Sequence, residues 1–215
     1  MLRLLQKEIR LAMHPTVPIF LLLSAMLLIP NYPYYVAFFY TGLGVFFTCM
    51  NGREQHDIAY TLLLPVCKRD VVRARMLLVT LLELLQLALA VPFLVLRSAL
   101  HMPENAAGME ANIALLGLVL LQYGIFNLVF FGVYYRNVRR VGVAFLWSCA
   151  AEFLYIGAME VSAHTVPFFR DVLDTPDPQH LGAKLLVLLG GAVAFSLLTL
   201  LARSREIRAF ERQDL

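Results

Sequence analysis

The chain has 215 residues, 60% hydrophobic and only 15% charged, with a mean hydropathy of +0.72. A soluble domain is nearer half apolar and a quarter charged, so a soluble globular fold is excluded and several membrane spans are expected. A formal charge of +3 is too small to suggest a nucleic-acid partner, and three cysteines give no disulfide framework.

The opening segment, residues 1–14, is expected to be an amphipathic interfacial helix. Arg3, Lys7 and Arg10 form one basic stripe, with Leu2, Leu5, Ile9 and Met13 roughly opposite. It lacks the continuous apolar core and cleavage site of a secretory signal. Glu8 breaks the pattern, either as a snorkelling carboxylate or as the partner of a basic loop elsewhere. Span one is expected at 16–29, entered by a turn at Pro15 and Pro18. The run Pro30-Asn31-Tyr32-Pro33 then forms an outer turn, because neither proline continues a helix.

Span two is placed at 34–50. The most polar internal segment follows, 51–75. Asn51-Gly52 can end span two, Glu54 to Leu64 can form a short helix, Pro65 stops it, and Asp70 is a candidate N-cap for the next helix. Span three is expected at 76–96, an outer loop with Glu104 and Glu110 at 97–112, and span four at 113–135. A basic turn at 136–140 leads to span five at 141–161. A second outer loop, 162–180, carries Asp171, Asp174 and Asp177, and span six follows at 181–201. A charged cytoplasmic tail occupies 203–215. The expected fold class is therefore all-α: a single transmembrane domain of six helices.

Orientation follows from the 18 Lys and Arg residues. Fifteen flank one side of the spans, whereas Arg97, Arg170 and Lys184 fall on the other. The positive-inside rule puts both termini, loop 51–75 and turn 136–140 in the cytoplasm.

No catalytic constellation is present in the sequence. No two of the five histidines are at a metal-ligand spacing on a helix, and HExxH, GxSxG and GxxxxGK[ST] are absent. No catalytic, cofactor or metal residues are therefore expected. Gly42-Leu43-Gly44 lies within span two and suits close helix packing rather than phosphate binding. The remaining candidates are intramembrane polar residues: Glu83 and Gln86 in span three, Gln122 and Asn127 in span four, and Glu152 in span five, with Glu160 near its outer end. Each costs several kcal/mol in hydrocarbon unless paired or hydrated. They either line a translocation path or fix helix packing through interhelical hydrogen bonds.

The opening LLQKEIRL and the string DIAYTLLLPVCKRDVVRAR, from Asp57 to Arg75, resemble the permease subunits of ABC-2-type exporters. They are most similar to the small six-span group that includes the phenol-soluble modulin exporters of Gram-positive bacteria. The six-span layout with a leading amphipathic helix agrees over the full length. The resemblance implies an ATP-driven exporter in the bacterial cytoplasmic membrane. Two permeases, as a homodimer or a paired heterodimer, would work with two copies of a separate ATPase subunit that binds the ATP and Mg. It also implies that loop 51–75 carries a coupling helix. Tyr60, Leu63 and Leu64 would be its anchors, with Asp57, Lys68 and Arg69 at the rim, Glu54 and Asp70 at the helix ends, and Pro65 holding the angle. An amphipathic peptide or other hydrophobic compound is the expected cargo, because apolar spans offer few polar anchors. A non-transporting membrane scaffold and an intramembrane enzyme are the alternatives. The enzyme would need paired acids, Ser/His or a metal set at a definite spacing.

Overall fold

The computed structural model describes residues 1–212 and is helical throughout, with no strand among them. Helix α1 (Leu2–Lys7) continues as a π-helical turn, Glu8–Ala12. After Pro15 the chain bends by 90° into α2 (Val17–Leu22), which tightens to a 3-10 segment, Leu23–Leu28. Helices α3 (Tyr35–Glu54), α4 (Asp57–Leu62), α5 (Lys68–Ala99), α6 (Ile113–Tyr134), α7 (Val141–Thr165) and α8 (Leu181–Glu211) follow, with a π-helical turn at Phe169–Leu173 between the last two.

Helices α5, α6, α7 and α8 are long and apolar enough to cross a membrane, and the bent pair at the amino end raises the number of candidate spans from four to five. The 20-residue α3 is about 30 Å long at 1.5 Å per residue, but its glycines, threonines and tyrosines make it less apolar than these.

Helix boundaries follow the sequence where an apolar run ends in proline, glycine or charge. They depart from it where a helix outlasts its apolar stretch. Helix α5 starts at Lys68 and α8 runs on to Glu211, because Arg and Glu are good helix formers once the chain has left the hydrocarbon. The expected tail therefore extends α8 over its described part, and its residues 213–215 lie outside the described residues.

Three local expectations are corrected. Asn51-Gly52 does not end α3, which continues to Glu54, and the left-handed residue of the joint is His56, with φ of 51°. The helix expected from Glu54 to Leu64 is shorter, Asp57–Leu62, because Leu63 and Leu64 enter the turn before Pro65. Asp70 is not the N-cap of α5. Cys67 is, and Asp70 sits in the first turn, where a carboxylate favours the positive helix end and meets Arg73 at 3.5 Å.

Helix α6 is the centre of the bundle: 72% of its apolar stretch is buried, against 33% for α5, 33% for α7 and 17% for α8. Its glycines allow this. A Cβ on Gly117 would come within 2.6 Å of the backbone of Val187 and Leu188, and one on Gly191 within 1.9 Å of the Gly117 carbonyl oxygen. α6 and α8 thus touch backbone to backbone, as small residues permit in membranes. Gly42 serves α3 similarly, since its Cβ would meet the Phe126 ring of α6 at 2.9 Å.

Candidate functional site

The segment between α3 and α5 is built on a closed ring of four charges. Asp57, at the start of α4, accepts from Lys7 at 2.5 Å and from Arg75 Nη2 at 2.8 Å. Glu8 takes the other donors of the same two bases, Lys7 at 3.0 Å and Arg75 Nε. The side chains of Glu8 and Arg75 are only 2% and 3% exposed, so two charges of each sign are buried together and sum to zero. Arg75 Nη1 also reaches Cys49 Sγ at 3.7 Å, and a Cβ on Gly52 would lie 3.6 Å from the same nitrogen. The ring joins α1, α4 and α5 against α3. Of the two readings of Glu8, the structure supports the ion pair, and it moves Asp57 from the expected rim into the joint.

With Asp57 held inside, α4 divides into two faces. Thr61 is buried, its hydroxyl donating to the Asp57 carbonyl at 2.7 Å, and Ile58 and Leu62 pack on the core cluster of Val45, Cys49, Val72 and Met76. Tyr60, Leu63 and Leu64 point outward and are 66%, 81% and 56% exposed. Glu54 and Arg69 are exposed, Lys68 and Asp70 half-buried, and Pro65 lies in the exposed turn leading to α5. The result is a short helix fixed at its inner face and presenting three bulky apolar side chains beyond it.

All five expected intramembrane residues are buried, and the structure draws four of them into two acid–amide pairs on α6. Asn127 Nδ2 donates to Glu83 at 2.9 Å and to Thr199 of α8 at 3.2 Å. Gln122 Nε2 donates to Glu152 of α7 at 3.1 Å. Between them Tyr123 meets Thr41 of α3 at 3.3 Å. A polar belt around α6 therefore binds α3, α5, α7 and α8, each through a side chain. Gln86 stands apart: it is fully buried, and neither atom of its amide has a hydrogen-bond partner among the described residues.

A third polar network, at the end of the bundle away from the ring, went unseen in the sequence. Arg97 donates to Glu110 at 2.7 Å and to the Pro103 carbonyl at 2.6 Å, and lies 5.4 Å from the centre of the Tyr34 ring. Asn105 reaches the Tyr32 carbonyl at 2.9 Å. Asn112 caps α6 by accepting from the Leu115 N–H at 3.0 Å, while its amide donates to the carbonyls of Leu173 and Thr175. Lys184, fully buried, donates to Asp177 at 2.9 Å and to the Thr175 carbonyl at 2.6 Å. Asp174 accepts from the Glu110 N–H at 2.5 Å. Burial, reinforced by the nearby Glu110 carboxylate, pushes the Asp174 carboxyl up to about 6. The loops around 30–34, 97–112 and 166–180 are thereby tied into one cap. One signal was available: Lys184 falls three residues inside span six and needs an acid, and the preceding loop 162–180, with its prolines and aspartates, supplies one.

Together the long apolar helices and the buried polar belt define a helical, membrane-embedded protein. No family model, curated protein or solved structure matches the chain.

Proposed function

We propose that this chain is the membrane-spanning permease subunit of an ATP-driven exporter, resident in a bacterial cytoplasmic membrane with both termini inside. In this reading α2 with its 3-10 extension and α3 serve as spans one and two, completing six crossings with α5 to α8. The ATPase is a separate subunit, present in two copies beside a pair of permeases. Its cargo is an amphipathic peptide or similar hydrophobic compound.

One observation carries the reading. Helix α4 and the turn that follows it project Tyr60, Leu63 and Leu64 outward, while the first residue of α4 is clamped by Lys7 and Arg75 to the amino-terminal helix and to α5. Bulky apolar side chains on a short exposed helix suit a groove on a partner, where a few anchors carry most of the binding energy. The ring of charges would pass a displacement of α4 to both neighbours instead of letting the loop absorb it. The polar belt around α6 would then be the set of contacts that rearranges between states.

The test is co-purification. A tagged chain extracted from its native membrane retains an ATPase, and Tyr60→Ala with Leu64→Ala releases it while leaving the permease folded. If the unaltered chain carries no ATPase and exports nothing in response to ATP, the proposal fails.

A further inference from the structure

A groove of about 570 Å³ opens between the ends of α6 and α8, on the same side as the 136–140 turn. Its rim holds Arg136, Arg205, Arg208 and Arg212, all exposed. Among the described residues none of the four has an acidic partner within ion-pair distance, in a protein that pairs Arg75 and Arg97 closely. Its wall is apolar: Leu128, Val129 and Val133 line about two turns of α6, roughly 10 Å, before the arginines begin. Gly132 keeps that wall low, since a Cβ there would find only Glu206 Oε1, at 3.8 Å.

Glu206 gives the groove a second chemical feature. It lines the groove, is 4% exposed, and its Oε2 has no hydrogen-bond donor among the described residues. Arg136 and Arg205 lie within its electrostatic reach, yet Oε2 receives no hydrogen bond from either. A buried acceptor left without a donor costs about 1–3 kcal/mol, so this atom calls for a donor from outside the chain. The arginines in turn call for an anion, and guanidinium groups match phosphate by paired hydrogen bonds. The apolar wall at membrane depth calls for hydrocarbon.

We propose that this groove binds a phospholipid of the adjacent leaflet whose headgroup carries both a phosphate and a terminal hydrogen-bond donor. The phosphate lies among the arginines, the ammonium of ethanolamine or a hydroxyl of glycerol donates to Glu206, and the upper acyl region lies along Leu128, Val129 and Val133. Phosphatidylcholine has no terminal donor and phosphatidic acid has no terminal group, so both satisfy only the arginines. The proposal is independent of any ATPase.

Native mass spectrometry of the purified chain separates the contributions. Lipids with identical acyl chains and ethanolamine, glycerol, choline or no terminal group are added in turn. Either or both donor-bearing lipids are retained about tenfold more than phosphatidylcholine, the factor expected of one hydrogen bond to a charged group. Glu206→Leu, which removes both acceptor oxygens, abolishes that preference and does not weaken phosphatidic acid binding. Arg205→Ala with Arg208→Ala weakens all four lipids, and Gly132→Leu does the same by raising the wall while leaving every charge in place. Equal retention of the four lipids by the unaltered chain overturns the proposal. So does a headgroup preference that persists in Glu206→Leu, or binding indifferent to the arginine pair. Arg205 and Arg208 are exposed, so the arginine variant folds normally and its result stands whatever Glu206→Leu does to the bundle.

Discussion

Arg75→Met attacks the joint of α1, α4 and α5 at its most buried cation. Arg75 neutralises Glu8 and Asp57, whose side chains are 2% and 12% exposed. Methionine fills similar space but leaves two carboxylates with Lys7 alone, a net charge of −1 in a site that excludes water. Breaking a buried pair from one side costs about 3–5 kcal/mol, mostly because the remaining charge is stranded. Arg73→Met is the matched control two residues away. It removes a pair whose side chains are 37% and 31% exposed, worth at most about 1 kcal/mol after solvent screening. The assay is equilibrium unfolding of both variants in mixed micelles with increasing denaturing detergent. Adding Glu8→Gln to Arg75→Met restores neutrality, leaving the Lys7–Asp57 pair intact, and recovers more than half of the loss. That non-additivity is the signature of groups acting as one unit. Equal costs for Arg75→Met and Arg73→Met, or simple additivity in the double variant, would refute the buried-ring account.

Three further outcomes are expected. In a chain freed of Cys49, Cys67 and Cys149, single cysteines at Glu104 or Asp171 react with an impermeant thiol reagent in intact cells, whereas those at Arg69, Arg139 or Arg205 react only after permeabilisation; the reverse pattern sinks the proposed orientation. The cap joining loops 97–112 and 166–180 loosens as pH rises: the Asp174 carboxyl is held near 6, above its ordinary range, so its contribution is complete below about pH 4 and lost as pH passes through 6. Hydrogen exchange at residues 105–112, corrected for intrinsic rates, speeds up between pH 5 and pH 7 by about tenfold or less, and Asp174→Asn removes that change. Gly191→Ala, forced against the Gly117 carbonyl, costs about 1–3 kcal/mol, while Gly190→Ala, with open space around its Cβ, is neutral or stabilising; identical behaviour of the two denies the close α6–α8 contact.

Helix existence was legible because each apolar run is long and its ends carry proline, glycine or charge. The starts of α6, α7 and α8 at Ile113, Val141 and Leu181 coincide with the expected span starts. The bent entry at Pro15 was also readable, since proline acts through local sterics, whereas the break before α4 was expected at Asn51-Gly52 and falls at His56 instead. The three networks differ in what the sequence could offer. Isolated polar residues inside apolar runs point to themselves, so Glu83, Gln86, Gln122, Asn127 and Glu152 were visible singly. Which acid meets which amide depends on helix rotation, which apolar composition on all sides leaves undetermined. The ring of Lys7, Glu8, Asp57 and Arg75 was harder still, because its members look like ordinary surface charges of a basic loop. Only Glu8, set against the pattern of its own helix, gave a hint. The cap was hidden because Lys184 and Arg97 look like ordinary interfacial charges, and the acids that satisfy them, Asp177 and Glu110, lie in loops without a periodic pattern.

The distribution of contacts also bears on how such a molecule could move. The α6–α8 seam is backbone against backbone at Gly117 and Gly191, and such a contact can slide or separate only as a whole. The cap ties α5, α6 and α8 through Arg97, Asn112 and Lys184, each making at least two bonds across loops. By contrast, α5 meets the middle of α6 through one side-chain pair, Glu83 with Asn127, and both residues keep an oxygen without a donor. Glu152 of α7 and Gln122 form a similar pair, but Tyr155 of α7 also donates to the Leu118 carbonyl of α6 at 2.7 Å. An unsatisfied atom raises the free energy of the arrangement that contains it and lowers the cost of leaving it. A displacement entering at α4 and Arg75 is delivered to α5, which is the helix holding Glu83 against α6. The seam best placed to yield is therefore the one between α5 and α6 at mid-membrane, with α6 and α8 moving as one body against it.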